Sequence, residues 1–510
     1  MSGTTALRMH AQDNVAVAMR DLTAGDMAAI EPGHAVGVRQ PIPAGHKVAL
    51  LAIAAGEPVR RYGEIIGFAA RGIAPGEHVH THNVALREFD REMDPSPLPT
   101  APQRSAPPRT FLGYARPDGR AGTRNYIAVI ATVHCSAHTC REIARHFTRR
   151  RMAAFPNVDG VIAITHNTGC TIGAGGQDYV LLQRTLAGIA RHPNVAASVI
   201  VGLGCEVNRP ADLIRNQHLC EGANAPCPAT LVIQELGGIR KTVQAGIEAV
   251  SALLPAADAC RRTPQPLSAL TLALQCGGSD AWSGVTANPV LGLVSDEIVG
   301  QGGTVVLAET PEIYGAEHLL ARRAASPKVR DRLFALVREW EEYARRMDVQ
   351  LDSNRSAGNM EGGLTTIYEK SLGAIAKAGS TPLQAVLGYA EPVSARGLVF
   401  MDSPGFDSES VTGQVAAGCN LVAFTTGRGS VFGFRPAPVV KVASNSSLFR
   451  RMADDMDFDA GRVLEGTSLE IAASELLHLL VAVASGKPSR SEAQGVGEAE
   501  FSPWQRGGRM

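Results

Sequence analysis

The 510-residue chain carries 49 Lys+Arg against 49 Asp+Glu, so its formal net charge is zero. A neutral chain without a basic stripe has nothing with which to track phosphates or an anionic membrane, which sets nucleic-acid and membrane-surface binding aside. No run of about 18 apolar residues exists, and the N-terminus lacks a basic segment leading into an apolar one, so neither a membrane span nor a secretory signal is expected.

At roughly 100–200 residues per domain, this length implies two to four domains. Nine cysteines without a CxxC pair point to reduced thiols in a cytoplasmic protein. Residues 1–93 read as a small β-rich module, in which NVAVAM, KVALLAI and EIIGFAA alternate with turns such as PAGHK and APGEH. A Pro- and Ser-rich linker follows at 94–110. From 111 to 257, the runs IAVIATV, VIAIT, SVIVGLG and TLVIQEL alternate with helix-prone segments, the pattern of an α/β region with a largely parallel sheet. A second break, PAADACRRTPQPLS (255–268), precedes another α/β region at 268–490, with a long helical stretch near 315–347. Residues 491–510 have low hydrophobicity and are expected to form a flexible tail that frays or packs loosely.

The apolar runs stop abruptly at Gly-, Cys- and Asp-rich turns. Ligands of open α/β sheets bind outside the carboxyl ends of the strands. Cys135, His166, Cys170, Cys205, Glu206, Cys276, Asp280, Glu309, Asp402 and Arg428 therefore stand where chemistry is expected. Three thiols at successive strand ends, Cys135, Cys170 and Cys205, can hold iron or an iron–sulfur cluster, line a substrate pocket with Glu206, or simply fill tight turns. GLGCEVN (202–208) and CGGSDAWSG (276–284) expose turn amides suited to carboxylates or phosphates. Neither completes a dinucleotide fingerprint, since Val207 stands at the third glycine position, and no P-loop exists. In GEHVHTHN (76–83), an extended strand would place His78, His80 and His82 on one face, a natural half-site for a divalent metal. Lys370, after a glycine-rich stretch, is a clamp, a proton carrier or a surface lysine. Arg428, between glycines in TTGRGS, is a carboxylate fork or a turn residue.

IPAGHKVAL (42–50), RYGEIIGFA (61–69), GEHVHTHN (76–83), GTRNYIAV (122–129), HNTGC (166–170), GLGCEVN (202–208), CGGSDAWSGVTANP (276–289), EKSLG (369–373) and TTGRG (425–429) recur in one order along nearly the whole chain. With them the chain resembles the altronate dehydratase/galactarate dehydratase family of bacterial sugar-acid dehydratases. The resemblance implies an SAF-type β domain at the N-terminus and two α/β regions. It also implies loss of water from a C6 aldonic or aldaric acid to give a 2-keto-3-deoxy product, with Fe(2+), or Mn(2+) in its place, as the metal. An iron–sulfur cluster is the lesser alternative, and a homo-oligomer is compatible. GEHVHTHN resembles the altronate branch, whereas the 276–289 and 42–50 stretches look closer to the galactarate branch. The family's GN-Lys-x-GG motif here has Met360 in the lysine position.

On this reading His80 and His82 ligate the metal, and the base that removes the proton beside the carboxylate is His166 or Lys370. Gly277, Gly278, Ser279, Asp280 and Arg428 bind the substrate. Sulfite elimination from a sulfonated hydroxy acid and non-catalytic sugar-acid binding are the competing readings.

Overall fold

The computed structural model of the chain describes residues 4–31, 33–89, 108–221 and 227–507. The N-terminal part is all β. Its strands are short because a turn interrupts the chain every few residues. Gly25, Gly56 and Gly76 take positive φ in these turns, and the following Asp26, Glu57 and Glu77 each accept a hydrogen bond from the backbone N–H three residues earlier. Val15–Ala18, Lys47–Ala49 and His78–Val79 belong to one antiparallel sheet; Pro58–Arg61, Glu64–Ala69 and Val84–Ala85 form another.

Two parallel sheets follow. The first contains β1 (Tyr126–Ala131), β2 (Gly160–Ile164), β3 (Val195–Gly202) and β4 (Ala229–Val232), in the order β2-β1-β3-β4. The second contains β5 (Thr271–Cys276), β6 (Thr304–Leu307), β7 (Leu383–Leu387), β8 (Gly397–Met401), β9 (Leu421–Thr426), β10 (Val439–Ala443) and β11 (Phe458–Asp459). Its order is β7-β8-β6-β5-β9-β10-β11, parallel throughout. β1, β5, β8, β9 and β10 are almost wholly buried, which is why they read as unbroken apolar runs. Each sheet grows first to one side of its opening strand and then to the other. That creates a crevice between β1 and β3 and another between β5 and β9.

The linker expected at 94–110 lies outside the described residues up to 107. The break expected at 255–268 is not loose. Pro255 lies within the helix Ile239–Ala259, and Arg262–Pro266 is an edge strand paired antiparallel with Thr110–Ala115. An edge strand tolerates prolines because its outer face needs no donors. Up to residue 507 the C-terminal stretch is anchored: Phe501 and Trp504 are buried, and Trp504 stacks on Trp340 at 5.5 Å and 5°. Two aromatic anchors outweigh the polar composition around them. One apolar core runs through the N-terminal strands and both sheets. Cys220 and Cys227, with Cα atoms 4.4 Å apart, form a disulfide, contrary to the expectation of reduced thiols throughout; the other seven cysteines are free. Among the described residues, no helix is long and apolar enough to cross a membrane.

Candidate active site

The crevice at the carboxyl end of β5 opens into a cavity of about 390 Å³, walled by Cys276, Glu309, Glu312, Arg355, Lys370 and Asp407 among others. Cys276 ends β5. Glu309 follows β6 with a left-handed φ of 71°, a strained conformation for a residue with a side chain. Glu312 lies in the adjoining 3₁₀ turn Thr310–Ile313. Lys370 comes from α1 (Ile367–Ile375), whose N-terminus Thr366 caps by accepting from the Glu369 N–H. Asp407 opens α2 (Asp407–Ala416).

These groups form a connected buried network. Lys370 Nζ lies 2.8 Å from Glu312 Oε1 and also donates to the Asn354 carbonyl and side-chain oxygens at 2.8 and 2.7 Å. Lys377 Nζ donates to Cys276 Sγ at 2.8 Å, and that thiol donates to Glu312 Oε2 at 3.0 Å. Burial favours the neutral form of every carboxyl here, yet Lys370 and Lys377 overcome it at Glu312 and hold it down to about 2. At Glu309, burial and the charges of Glu312 and Asp407 act together and raise the carboxyl well above its ordinary range. Burial pushes Asp407 up to about 6. Environment thus pushes the three carboxyls apart, Glu309 and Asp407 towards the neutral form and Glu312 towards the anion. One oxygen of Glu309 is buried without a hydrogen-bond partner.

The N-terminal strands reach this region in the same chain. Lys47 Nζ donates to the Gly363 carbonyl at 2.6 Å and meets both oxygens of Glu369 at 2.9 Å. Arg61 bonds Glu369 at 2.7 Å and the Ala281 carbonyl at 2.7 Å. The histidine motif lies beside that junction. The extended strand expected over 76–83 ends at Val79, because Asn83 folds 80–83 into a turn by binding the His80 N–H and the His78 carbonyl. The rings gather nonetheless: His78 lies 5.3 Å from both His80 and His82, and His46, absent from the sequence reading, lies 4.7 Å from His80. Burial and the neighbouring imidazoles pull His78 down to about 3; burial and Lys47 pull His80 down to about 4.

Of the divalent-metal half-site expected at His80 and His82, His80 has both ring nitrogens engaged. His80 Nε2 is 2.9 Å from the Met360 carbonyl, which can only accept, so that nitrogen carries the proton. Its Nδ1 is taken by the Thr81 hydroxyl at 3.0 Å. Among the described residues, the one group of ligand atoms tight enough to share an ion is Cys276, Glu309 and Glu312. There, the Lys370 and Lys377 ammonium groups both stand beside Glu312, at 2.8 and 3.7 Å.

Other expected residues fall in different places. Lys370 is held above its ordinary range, burial being overcome by Glu312, which favours its ammonium form. His166 belongs to the first sheet, outside the cavity wall: Nε2 donates to the Ala131 carbonyl at 2.9 Å and Nδ1 accepts from the Thr168 N–H at 3.3 Å. Asp280 spends its oxygens on Trp282, Ser283, Ser444 and Asn445, organising its own turn instead of facing a ligand. Ser279 is buried, with its carbonyl bound to Asn359; Gly277 and Gly278 do line the cavity. Arg428 Nη2 donates to Glu361 Oε2 at 2.9 Å at the exposed rim. Asp402 ties Thr310 to Trp340. Cys135, Cys170 and Cys205 are exposed at the ends of the first sheet, with Glu206 buried beside Cys205. Glu312, Lys377 and Asp407 escaped the sequence reading. For Glu312 and Asp407 the one signal was proximity to a strand end, in GTVVLAETPEIYG and FMDSPGFD; Lys377, in the turn Ala376–Ala378, had none.

Known proteins bear on these positions. Residues 4–87 match the altronate/galactarate dehydratase SAF domain, 113–258 the D-galactarate dehydratase/altronate hydrolase second domain, and 267–508 the D-galactarate/altronate dehydratase C-terminal domain. Altronate dehydratase of Bacillus subtilis (strain 168) is 35% identical over 489 residues, covering 94% of this chain and 95% of that protein. Altronate dehydratase of Escherichia coli (strain K12) is 36% identical over 488 residues, 95% of this chain and 96% of its own. Galactarate dehydratase (L-threo-forming) of the same strain is 35% identical over 488 residues, 94% and 93% of the two chains. With all three domain models matched in order and whole-length relatives above 30% identity, the chain belongs to the D-galactarate/altronate dehydratase family.

Proposed function

We propose that this chain is a hydro-lyase acting in the cytoplasm on a hexonic acid of the D-altronate type, giving a 2-keto-3-deoxy acid, with galactarate the alternative substrate. The observation that carries the reading is the pair of buried carboxyls in one cavity, Asp407 at about 6 and Glu309 raised far above its ordinary range. Dehydration of a hydroxy acid needs a base near neutrality and a separate group that is still protonated. Asp407 takes the proton from C2. The electron pair forms the C2–C3 double bond, the C3–O bond breaks, and Glu309 protonates the departing oxygen to water. The enol then tautomerises to the keto acid. Lys370 and Arg355 place positive charge in the cavity wall, where the carboxylate gathers charge as C2 loses its proton. Glu312, fixed as an anion, keeps Lys370 charged throughout.

A monocarboxylate suits this cavity better than a diacid. Met360, in the family's lysine position, offers a thioether that contacts Arg355, and Arg428 is engaged by Glu361. The test is turnover of anaerobically purified, iron-supplemented protein on a panel of hexonates and hexarates, with trapping of keto acids. Keto acid from altronate supports the reading, and keto acid from galactarate alone shifts the substrate to the diacid. Sulfite release from a sulfonated hydroxy acid, with no keto acid from any sugar acid, overturns it.

A further inference from the structure

The loops at the carboxyl end of the first sheet carry a second set of reactive side chains. Cys135 follows β1, Cys170 follows β2 and Cys205 follows β3, three adjacent strands, and the crevice between β1 and β3 lies between two of them. All three thiols are exposed, whereas Cys140, Cys276 and Cys419 are buried, the usual state of free cysteine. The loops that carry them are stitched together. The His134 N–H donates to the Thr168 carbonyl at 2.9 Å, the Asn208 N–H to the Gly169 carbonyl at 3.1 Å, and Asn208 Nδ2 to the Thr132 carbonyl at 3.0 Å. Each cysteine lies within three residues of such a bond. Glu206 braces the third loop by accepting from Thr132 Oγ1 at 2.9 Å and from the Leu203 and Gly204 N–H groups at 3.0 and 2.5 Å. Gly169 is obligatory here: with φ of 100°, a Cβ on it would stand 2.2 Å from the Thr132 carbonyl oxygen.

The sulfurs are not gathered tightly enough to share one ion. They are not all within 4.8 Å of one another. A single tetrahedral ion with bonds of about 2.3 Å to sulfur would draw them closer than that. A polynuclear iron–sulfide core instead presents a separate iron to each thiolate. Gln234 Nε2 already donates to Cys205 Sγ at 3.5 Å, the kind of N–H···S bond that tunes such clusters. We infer that Cys135, Cys170 and Cys205 bind a cuboidal iron–sulfur cluster, one iron per thiolate, with its fourth iron free of cysteine. The inference is independent of the substrate assigned above, because it concerns iron and sulfide content and not turnover.

The experiment takes the full chain, purified without oxygen and reconstituted with iron salts and sulfide under dithiothreitol. The expected result is roughly four iron and four acid-labile sulfide per chain, with broad visible charge-transfer absorption. Mild oxidation should release the uncoordinated iron and leave a three-iron electron paramagnetic resonance signal. Cys135→Ser, Cys170→Ser and Cys205→Ser should each lose most of the sulfide, whereas Cys260→Ser should retain it. Alkylation mapping on the wild-type chain removes any dependence on variant folding. Cys135, Cys170 and Cys205 should be protected in the loaded protein and alkylated after the iron is chelated, while Cys260 reacts the same way in both states. Absence of acid-labile sulfide after reconstitution, or equal alkylation of the three thiols with and without bound iron, overturns the inference.

Discussion

Lys47 and Glu369 meet at 2.9 Å with both side chains wholly out of solvent, joining an N-terminal β-strand to the helix that carries Lys370. Arg61 completes the triad at 2.7 Å from the same carboxylate. Neighbouring hydrogen bonds from the Thr365 N–H and hydroxyl fill the other oxygen of Glu369. A buried charge so fully compensated locks the β-rich module onto the cavity-bearing region, and the loss of one member leaves the others stranded.

The triad makes stability acid-sensitive in a definite window. Burial alone would raise the Glu369 carboxyl, but Lys47 and Arg61 win and hold it at about 2 against an ordinary 4.5. A depressed carboxylate contributes stability above its unfolded value and loses it as pH falls towards its folded one, so the loss runs from pH 4.5 down to about 2. At 1.36 kcal/mol per unit, that contribution is about 3 kcal/mol. Glu369→Gln should lower neutral-pH stability by roughly 3–5 kcal/mol and flatten the acid slope. Urea unfolding across pH 2–7 measures both; identical slopes in the two proteins would remove Glu369 as the origin.

Asp407 gives a pH prediction for turnover. A base that must be ionised works above its own value, so kcat/KM should rise through about pH 6 and level off above it. Asp407→Asn should cost roughly 10²–10⁴-fold in kcat and abolish that limb. If the variant keeps an ascending limb near 6, another group is the base.

Glu309 is tested by an isostere. Because its carboxyl is held protonated by burial and by the charge on Glu312, Glu309→Gln keeps the neutral shape and should fold with little change in stability. It cannot deliver a proton, so turnover should fall by roughly 10²–10⁴. A substrate whose leaving group needs no protonation should recover most of the rate; equal losses on both substrates would assign Glu309 a packing role.

The sequence shows the sheets better than it shows the site. Strands such as β5 and β6 are unmistakable because burial on both faces leaves an unbroken apolar run, and their ends put Cys276 and Glu309 in view. Glu312 and Lys377 were invisible because each sits in a short 3₁₀ turn with no periodicity. Their partnership through Cys276 also spans sequence separations of 36 and 101 residues, which only the sheet order brings together. His80 shows the opposite failure. Its spacing from His82 is legible and suits a strand face, but one asparagine at position 83 turns the backbone, and a remote carbonyl at Met360 takes the ring nitrogen. Spacing reports side-chain direction only while the strand lasts.

The C-terminal stretch supplies the last prediction. Trp504 is buried between Trp340, stacked at 5.5 Å, and Tyr389, edge-on at 5.5 Å, with the Arg506 guanidinium 4.7 Å above its ring. Its N–H bonds the Tyr389 hydroxyl at 3.2 Å, and the next residues tie down the first sheet's region: Gln505 to Asn167, and the Arg506 N–H to Asp178. A stretch that merely frayed would leave stability unchanged on truncation. Here Trp504→Ala removes a full aromatic side chain from a packed site and should cost about 3–5 kcal/mol, whereas Glu498→Ala, at the exposed surface, should cost within about 0.5 kcal/mol. Urea denaturation of the two variants compares them directly. Because Trp340 also donates to Asp402, which holds Thr310 next to Glu309, the Trp504 variant should lose turnover as well as stability. Unchanged kcat in a destabilised Trp504→Ala protein would show that the anchor serves the fold alone.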